Sequence, residues 1–212
     1  MLIKIRWKTF LPDMLRIQVG FALFGVSIIM MVQGNLGTSA WSVLEVALAN
    51  IIHISLGTVT ILMGFLVLCI SLILRERIGW GTLANIISIG LWEDLFLRFI
   101  PSVTNNLLLQ IAMLLGAVLI MGLASAIYIG VDAGAGPRDS LMLAIKRKTG
   151  MSIGLARGII EVSVVLLGWW LGGPAGVGTF VFALLIGPAV QLGFRIFKVE
   201  PHRELESEVE DG

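Results

Sequence analysis

The chain is poor in charge. Only 14% of its 212 residues are Asp, Glu, Lys or Arg, where a soluble domain carries about 25%. Against that, 57% are hydrophobic, and this excludes a water-dissolved fold. Cys69 is the single cysteine, so no intramolecular disulfide and no thiolate metal cluster can form. The two histidines, His53 and His202, stand alone, and no HExxH, Gly-x-Ser-x-Gly or metal-ligand cluster occurs. The chain therefore reads as a non-enzyme without metal or cofactor. A net charge of +1, from 15 basic and 14 acidic residues, gives no support to nucleic-acid binding. Collagen, coiled-coil and low-complexity compositions are missing too.

What remains is an all-α polytopic membrane protein with the lipid bilayer as its main partner. A bilayer core needs about 20 apolar residues per helix. Six stretches qualify: 17–34, 55–74, 78–92 continuing toward Ile100, 107–131, 152–171 and 177–194. Two shorter segments, 40–52 and 137–148, read as interfacial or re-entrant helices. With the N-terminus in the cytoplasm, every basic residue falls inside except Arg98, outside, and Arg157, in the fifth span. Both termini are thus expected in the cytoplasm. Lys4, Arg6 and Lys8 could open a signal peptide, but the apolar run after them is too long and lacks a cleavage site.

Adding 97 to residue numbers maps Gly25, Gly37, Leu44 and Ala47 onto Gly122, Gly134, Leu141 and Ala144. Ser55 and Gly57 map onto Ser152 and Gly154, and Gly79-x-Gly81-Thr82 onto Gly176-x-Gly178-Thr179. The expected organisation is a basic N-terminus over 1–16, a first membrane repeat over 17–100, a second over 107–197 and an acidic tail over 198–212. Three spans per unit is an odd number. The second copy must then enter from the opposite side, as in inverted-repeat transporters.

The candidate site residues follow from the charges. Arg157 and Glu161 sit one turn apart on one helical face inside an apolar span. Intramembrane ionisable groups are functional by default, and a structural, snorkelling pair is the alternative. The turn Asp132-Ala133-Gly134-Ala135-Gly136-Pro137-Arg138-Asp139 opens a short helix with Pro137 first. Gly136, Arg138 and Asp139 there form a candidate anion site, or merely a tight reversal. Ser39 is the matching N-cap in the first unit. Glu93 and Asp94 end the third span, either as an outer-interface cap in which Asp94 pairs with Arg98 or as a proton relay. Asn85 and Gln191 line a cavity or bond between helices.

The segments Leu36-Gly37-Thr38-Ser39-Ala40-Trp41-Ser42-Val43-Leu44 and Gly134-Ala135-Gly136-Pro137-Arg138-Asp139-Ser140-Leu141-Met142 resemble the bacterial YczE/YyaS/YitT-type membrane proteins, the YczE branch in particular. So do Arg157 with Glu161, Gly172-Gly173-Pro174-Ala175-Gly176-Val177-Gly178-Thr179 and Ile186-Gly187-Pro188. The chain departs from that pattern at Ala40, often Pro, and at Ser42, often Asp. The resemblance implies a bacterial inner-membrane protein and leaves the substrate open. The leading expectation is a small-molecule transporter or permease. The alternative is a membrane accessory protein linked to secondary-metabolite synthesis. That protein would bind a homo-oligomeric or cytoplasmic partner through Arg138, Lys146, Arg147, Lys148 and the acidic tail.

Overall fold

A computed structural model describes Trp7 and residues 9–75, 79–131, 133–134 and 136–199. The expectations placed on the first six residues, Lys8, Arg77, Asp132 and the acidic tail beyond Val199 lie outside the described residues. Among the described residues eight α-helices follow one another: α1 (Phe10–Gly34), α2 (Ala40–Ile52), α3 (Leu56–Ile73), α4 (Trp80–Leu97), α5 (Leu107–Ile129), α6 (Pro137–Thr149), α7 (Ile153–Trp170) and α8 (Val177–Phe197). Among the described residues there is no strand.

The helix starts are written locally. The side chains of Ser39, Ser55, Asn106 and Ser152 each accept the backbone N–H three residues on, satisfying an orphan donor of the first turn. Pro137 opens α6 at a position whose N–H needs no partner. Thr82 and Thr179 turn back onto the N–H of Gly79 and Gly176. The helix α1 starts at Phe10, so residues 10–16 of the basic N-terminus are helical. Phe10, Leu11, Met14 and Leu15 continue its apolar character, and its first turn contains Pro12, which is tolerated there.

Among the described residues four helices are long and apolar enough to cross a membrane: α1, α3, α5 and α8. That is fewer than the six spans expected from the sequence. The other two, α4 and α7, equal α3 in length at 18 residues, but carry Glu93 with Asp94 and Arg157 with Glu161. The helices α1 and α5 pack along each other at the centre. A Cβ on Gly20 would sit 3.3 Å from the Ala124 carbonyl oxygen, and the Ser27 hydroxyl donates to the Ala117 carbonyl at 2.6 Å. Ile17, Phe21, Ile28, Ile89, Met121 and Tyr128 form the main apolar core. The outward faces of the helices are apolar as well, with Leu62, Ile73, Leu108, Leu119, Trp170 and Leu184 all exposed. In lipid such a surface is solvated, and packing and interhelical hydrogen bonds must supply the cohesion.

The eight helices fall into two sets of four whose starts lie 97 residues apart: 10 and 107, 40 and 137, 56 and 153, 80 and 177. The turn glycines Gly37 and Gly134 take matching left-handed conformations, φ +113° and +111°. Only glycine enters that region freely. The contacts between the sets are reciprocal. The Gly178 N–H donates to the Leu36 carbonyl, and the Gly81 N–H donates to the Ala133 carbonyl. Each turn thereby docks against the first residues of the last helix in the other set.

Candidate functional site

A cavity of about 800 Å³ opens where the starts of α2 and α6 approach each other, a size suited to a small organic molecule. It brings together six of the residues singled out from the sequence: Ser39, Gly136, Arg138, Asp139, Arg157 and Glu161. Asn85 also lines it. Phe24, Ile28, Met121, Trp169, Phe180 and Ile186 supply an apolar remainder.

The polar wall is partnered. Arg157 Nε donates to Glu161 Oε1 at 2.8 Å, as the one-turn spacing predicts. This pair is not buried in helix packing. Both side chains face open space, at 51% and 35% exposure, because α7 and α8 part beside them. The Tyr128 hydroxyl donates to Asp139 Oδ2 at 3.0 Å and accepts the Gly136 N–H at 3.3 Å. Burial raises the Asp139 carboxyl above its ordinary range, opposed by Tyr128 and by the charges of Arg157 and Arg138. Ser39 and Ser42 share a hydrogen bond at 2.8 Å. The expected anion cradle at the α6 start thus has its Gly136 N–H taken by Tyr128.

Arg138 turns inward rather than joining the basic surface of α6. Its guanidinium lies 4.9 Å from the centroid of the Trp41 ring and donates to Glu45. Trp41 and Arg138 hold equivalent places in the two sets, 97 residues apart. Lys146, Arg147 and Lys148 remain at the far end of α6, where basic charge suits the helix dipole. Arg147 there donates to the Leu74 carbonyl at 2.7 Å.

Asp94 lies elsewhere. Its carboxylate accepts the Ser55 hydroxyl at 2.6 Å and the Gly57 N–H at 2.9 Å, capping α3 from α4. Pairing with Arg98 is not what holds it. Asp94→Ala should therefore cost the detergent-solubilised protein about 1–2 kcal/mol, the scale of a lost cap, and Arg98→Ala should cost almost nothing. Equal losses in a thermal melt of the two variants would contradict the capping role. Gln191 is exposed.

Sequence reasoning passed over Glu45 and misplaced Glu93. Both are fully buried. Glu45 is the only charged residue of α2, and that isolation was the available signal. Glu93 accepts the Thr60 hydroxyl at 2.6 Å instead of capping an interface. Among the described residues, no group of three or more His, Cys, Asp or Glu could hold a metal ion.

The chain is similar to several bacterial proteins over most of its length. An uncharacterized protein of Haemophilus influenzae is 35% identical, covering 87% of this chain and 86% of its own. The uncharacterized membrane protein YczE of Bacillus subtilis is 32% identical, covering 86% of this chain and 82% of its own. The uncharacterized protein YyaS of the same organism is 27% identical, covering 80% and 86%. No solved structure matches. The apolar helices and the YczE relative fit an integral membrane protein. Residues 12–195 match a family of unknown function, DUF6198, and the chain belongs to that family.

Proposed function

We propose that the protein is a small-molecule permease of the bacterial inner membrane, built as two inverted repeats that exchange roles around the cavity. The observation that carries this reading is a difference between the two sets of helices. In the first set α3 packs closely on α4. A Cβ on Gly57 would collide with the Gly90 carbonyl oxygen, and one on Gly64 would sit 2.9 Å from Ile86. The equivalent residues of the second set are Gly154, Gly187, Glu161 and Ala183. A Cβ placed on Gly154 or on Gly187 would have no atom within 4 Å, and Glu161 and Ala183 line the cavity. One helix pair is closed while its counterpart stands open. In a repeat protein the exchange of these two arrangements moves the opening from one face to the other.

Sequence accounts for which pair is open. Pro188 lies inside α8, where it cannot donate to the Leu184 carbonyl and loosens the helix. The matching residue of α4 is Leu91. Charge occupies the second pair at Arg157 and Glu161, where the first has Thr60 and Gly64. The same reading makes α2 and α6 re-entrant, α4 and α7 spanning, and both termini cytoplasmic. The reciprocal bonds Gly178 to Leu36 and Gly81 to Ala133 support it. The cavity suits an amphipathic molecule whose apolar body meets Phe24, Met121 and Phe180, and whose polar end meets Asp139, Arg157 and Glu161.

The test is an untargeted comparison of metabolites in cells and medium for wild-type, deletion and Gly154→Leu strains. A bulky residue at 154 fills space that α7 must surrender on closing, so it should keep the folded protein and abolish its function. The expected result is one amphipathic compound redistributed alike in the deletion and Gly154→Leu strains. Identical profiles in all three strains, with the variant present at wild-type level, would contradict the permease reading.

A further inference from the structure

We propose that Glu93, with Glu45 beside it, is a proton-binding site that couples proton movement to the exchange of conformations; this rests on the permease reading. Both carboxyl groups are fully buried. Glu93 Oε1 and Glu45 Oε2 have no hydrogen-bond partner, although buried polar atoms are almost always paired. Two carboxyl oxygens held in this way leave a place for a proton.

The site is wired to the cavity at two points. Thr60 and Arg138 line the cavity wall. Thr60 reaches behind that wall to donate to Glu93 Oε2, and Arg138 reaches behind it to donate to Glu45. The charges that act on Glu93 are Glu45 from α2, Arg138 from α6 and Asp94 from its own helix α4. Arg138 is already engaged by Glu45 and Trp41, and Asp94 by Ser55 and the Gly57 N–H. A single guanidinium serves two buried carboxylates, so one negative charge is left over unless a proton occupies it.

A metal cation fits less well. Hard cations take six or more oxygen ligands, whereas this site offers two free carboxyl oxygens and the Thr60 hydroxyl. The proton route has a mechanical consequence. Glu45 belongs to α2, Glu93 to α4, Thr60 to α3 and Arg138 to α6, so the proton sits where four helices of both sets are joined. Releasing it leaves two carboxylates to compete for Arg138, and that pulls on the start of α6 against the α2 helix. The counterparts by the 97-residue offset are Met142, Val190 and Arg157 in the second set and Trp41 in the first. They hold no acid, so the site is not repeated at the equivalent positions.

The experiment uses the full chain in lipid vesicles, with protons as the only added ligand. Infrared difference spectra across a pH titration should show a titrating protonated-carboxyl band of a buried group, distinct from those of the exposed acids and of Asp139. It should disappear in Glu93→Gln, and its midpoint should shift in Glu45→Gln and in Thr60→Val, which leaves Glu93 intact should the first variant fold poorly. In parallel, Val165→Cys with Ala183→Cys, the counterparts of the packed residues Leu68 and Ile86, in a Cys69→Ser background, reports the approach of α7 to α8 by disulfide formation. Its yield should change several-fold with pH, and the change should vanish with Glu93→Gln. No titrating band, or a band indifferent to all three variants, overturns the proton site. A titrating band with cross-linking that occurs but ignores pH overturns the coupling and leaves the permease reading standing. Cross-linking at no pH overturns the permease reading, and the coupling proposed on it falls too.

Discussion

Arg138→Met is expected to be among the most destabilising single changes in the chain. Glu45 is fully buried, and Arg138 is the cation that neutralises it. Removing one member of a buried pair costs about 3–5 kcal/mol, because the charge left behind has neither solvent nor partner. That is a large part of the stability of an ordinary domain. Glu45→Gln should cost less. It leaves Arg138 about one-third exposed to the cavity and still stacked on Trp41, with an amide oxygen to bond. The double variant Arg138→Met with Glu45→Met should regain most of the loss, since a well-packed apolar pair is often as stable as an ion pair. Arg138→Lys should not rescue, because the flat guanidinium is what lies on the ring. Thermal melts in one detergent give the order directly. A wild-type melting temperature for Arg138→Met would show that Glu45 has another partner.

The second large effect is a contrast between two glycines 97 residues apart. Gly57→Leu should disrupt the α3–α4 pair outright. Its Cβ alone meets the Gly90 backbone, and no rotamer moves a Cβ. Overpacking costs about 1–3 kcal/mol where side chains can shift, and here the obstacle is backbone. Gly154→Leu meets nothing and replaces glycine in a helix, which favours the helix by up to about 1 kcal/mol. The expected melts are therefore a marked fall for Gly57→Leu and no fall for Gly154→Leu, although the second variant is predicted to be inactive. Equal destabilisation by the two would mean that α7 and α8 are packed together in the resting protein.

The helices were legible because their signals are local. Serine caps, Pro137, the glycine turns and runs of apolar residues mark nearly every boundary, and α2 runs from Ala40 to Ile52 as expected. The cavity residues were legible for a related reason. Arg157, Glu161, Arg138 and Asp139 are costly in an apolar environment, so their presence flags a polar recess. Partner choice was not legible. Asp94 has Arg98 one turn away on its own helix but bonds across to Ser55 and Gly57, 39 and 37 residues earlier. Glu45 and Arg138 are 93 residues apart, and only the docking of one set of helices on the other joins them. Nor does a repeat in sequence reveal that its two copies differ in shape, with Gly57 pressed against Gly90 and Gly154 facing open space.

The central claim is that the two helix pairs exchange their open and closed arrangements, and distances between spin labels measure this directly. With Cys69 replaced by serine, labels at 58 and 87 report on α3 and α4, and labels at 155 and 184 report on α7 and α8. These four residues are exposed and equivalent by the 97-residue offset. In lipid nanodiscs across a range of pH, each pair should show a short and a long distance. The share of long distances at 155–184 should fall as that at 58–87 rises. A single fixed distance at each pair under every condition, long at 155–184 and short at 58–87, would contradict the exchange and leave the cavity a static recess.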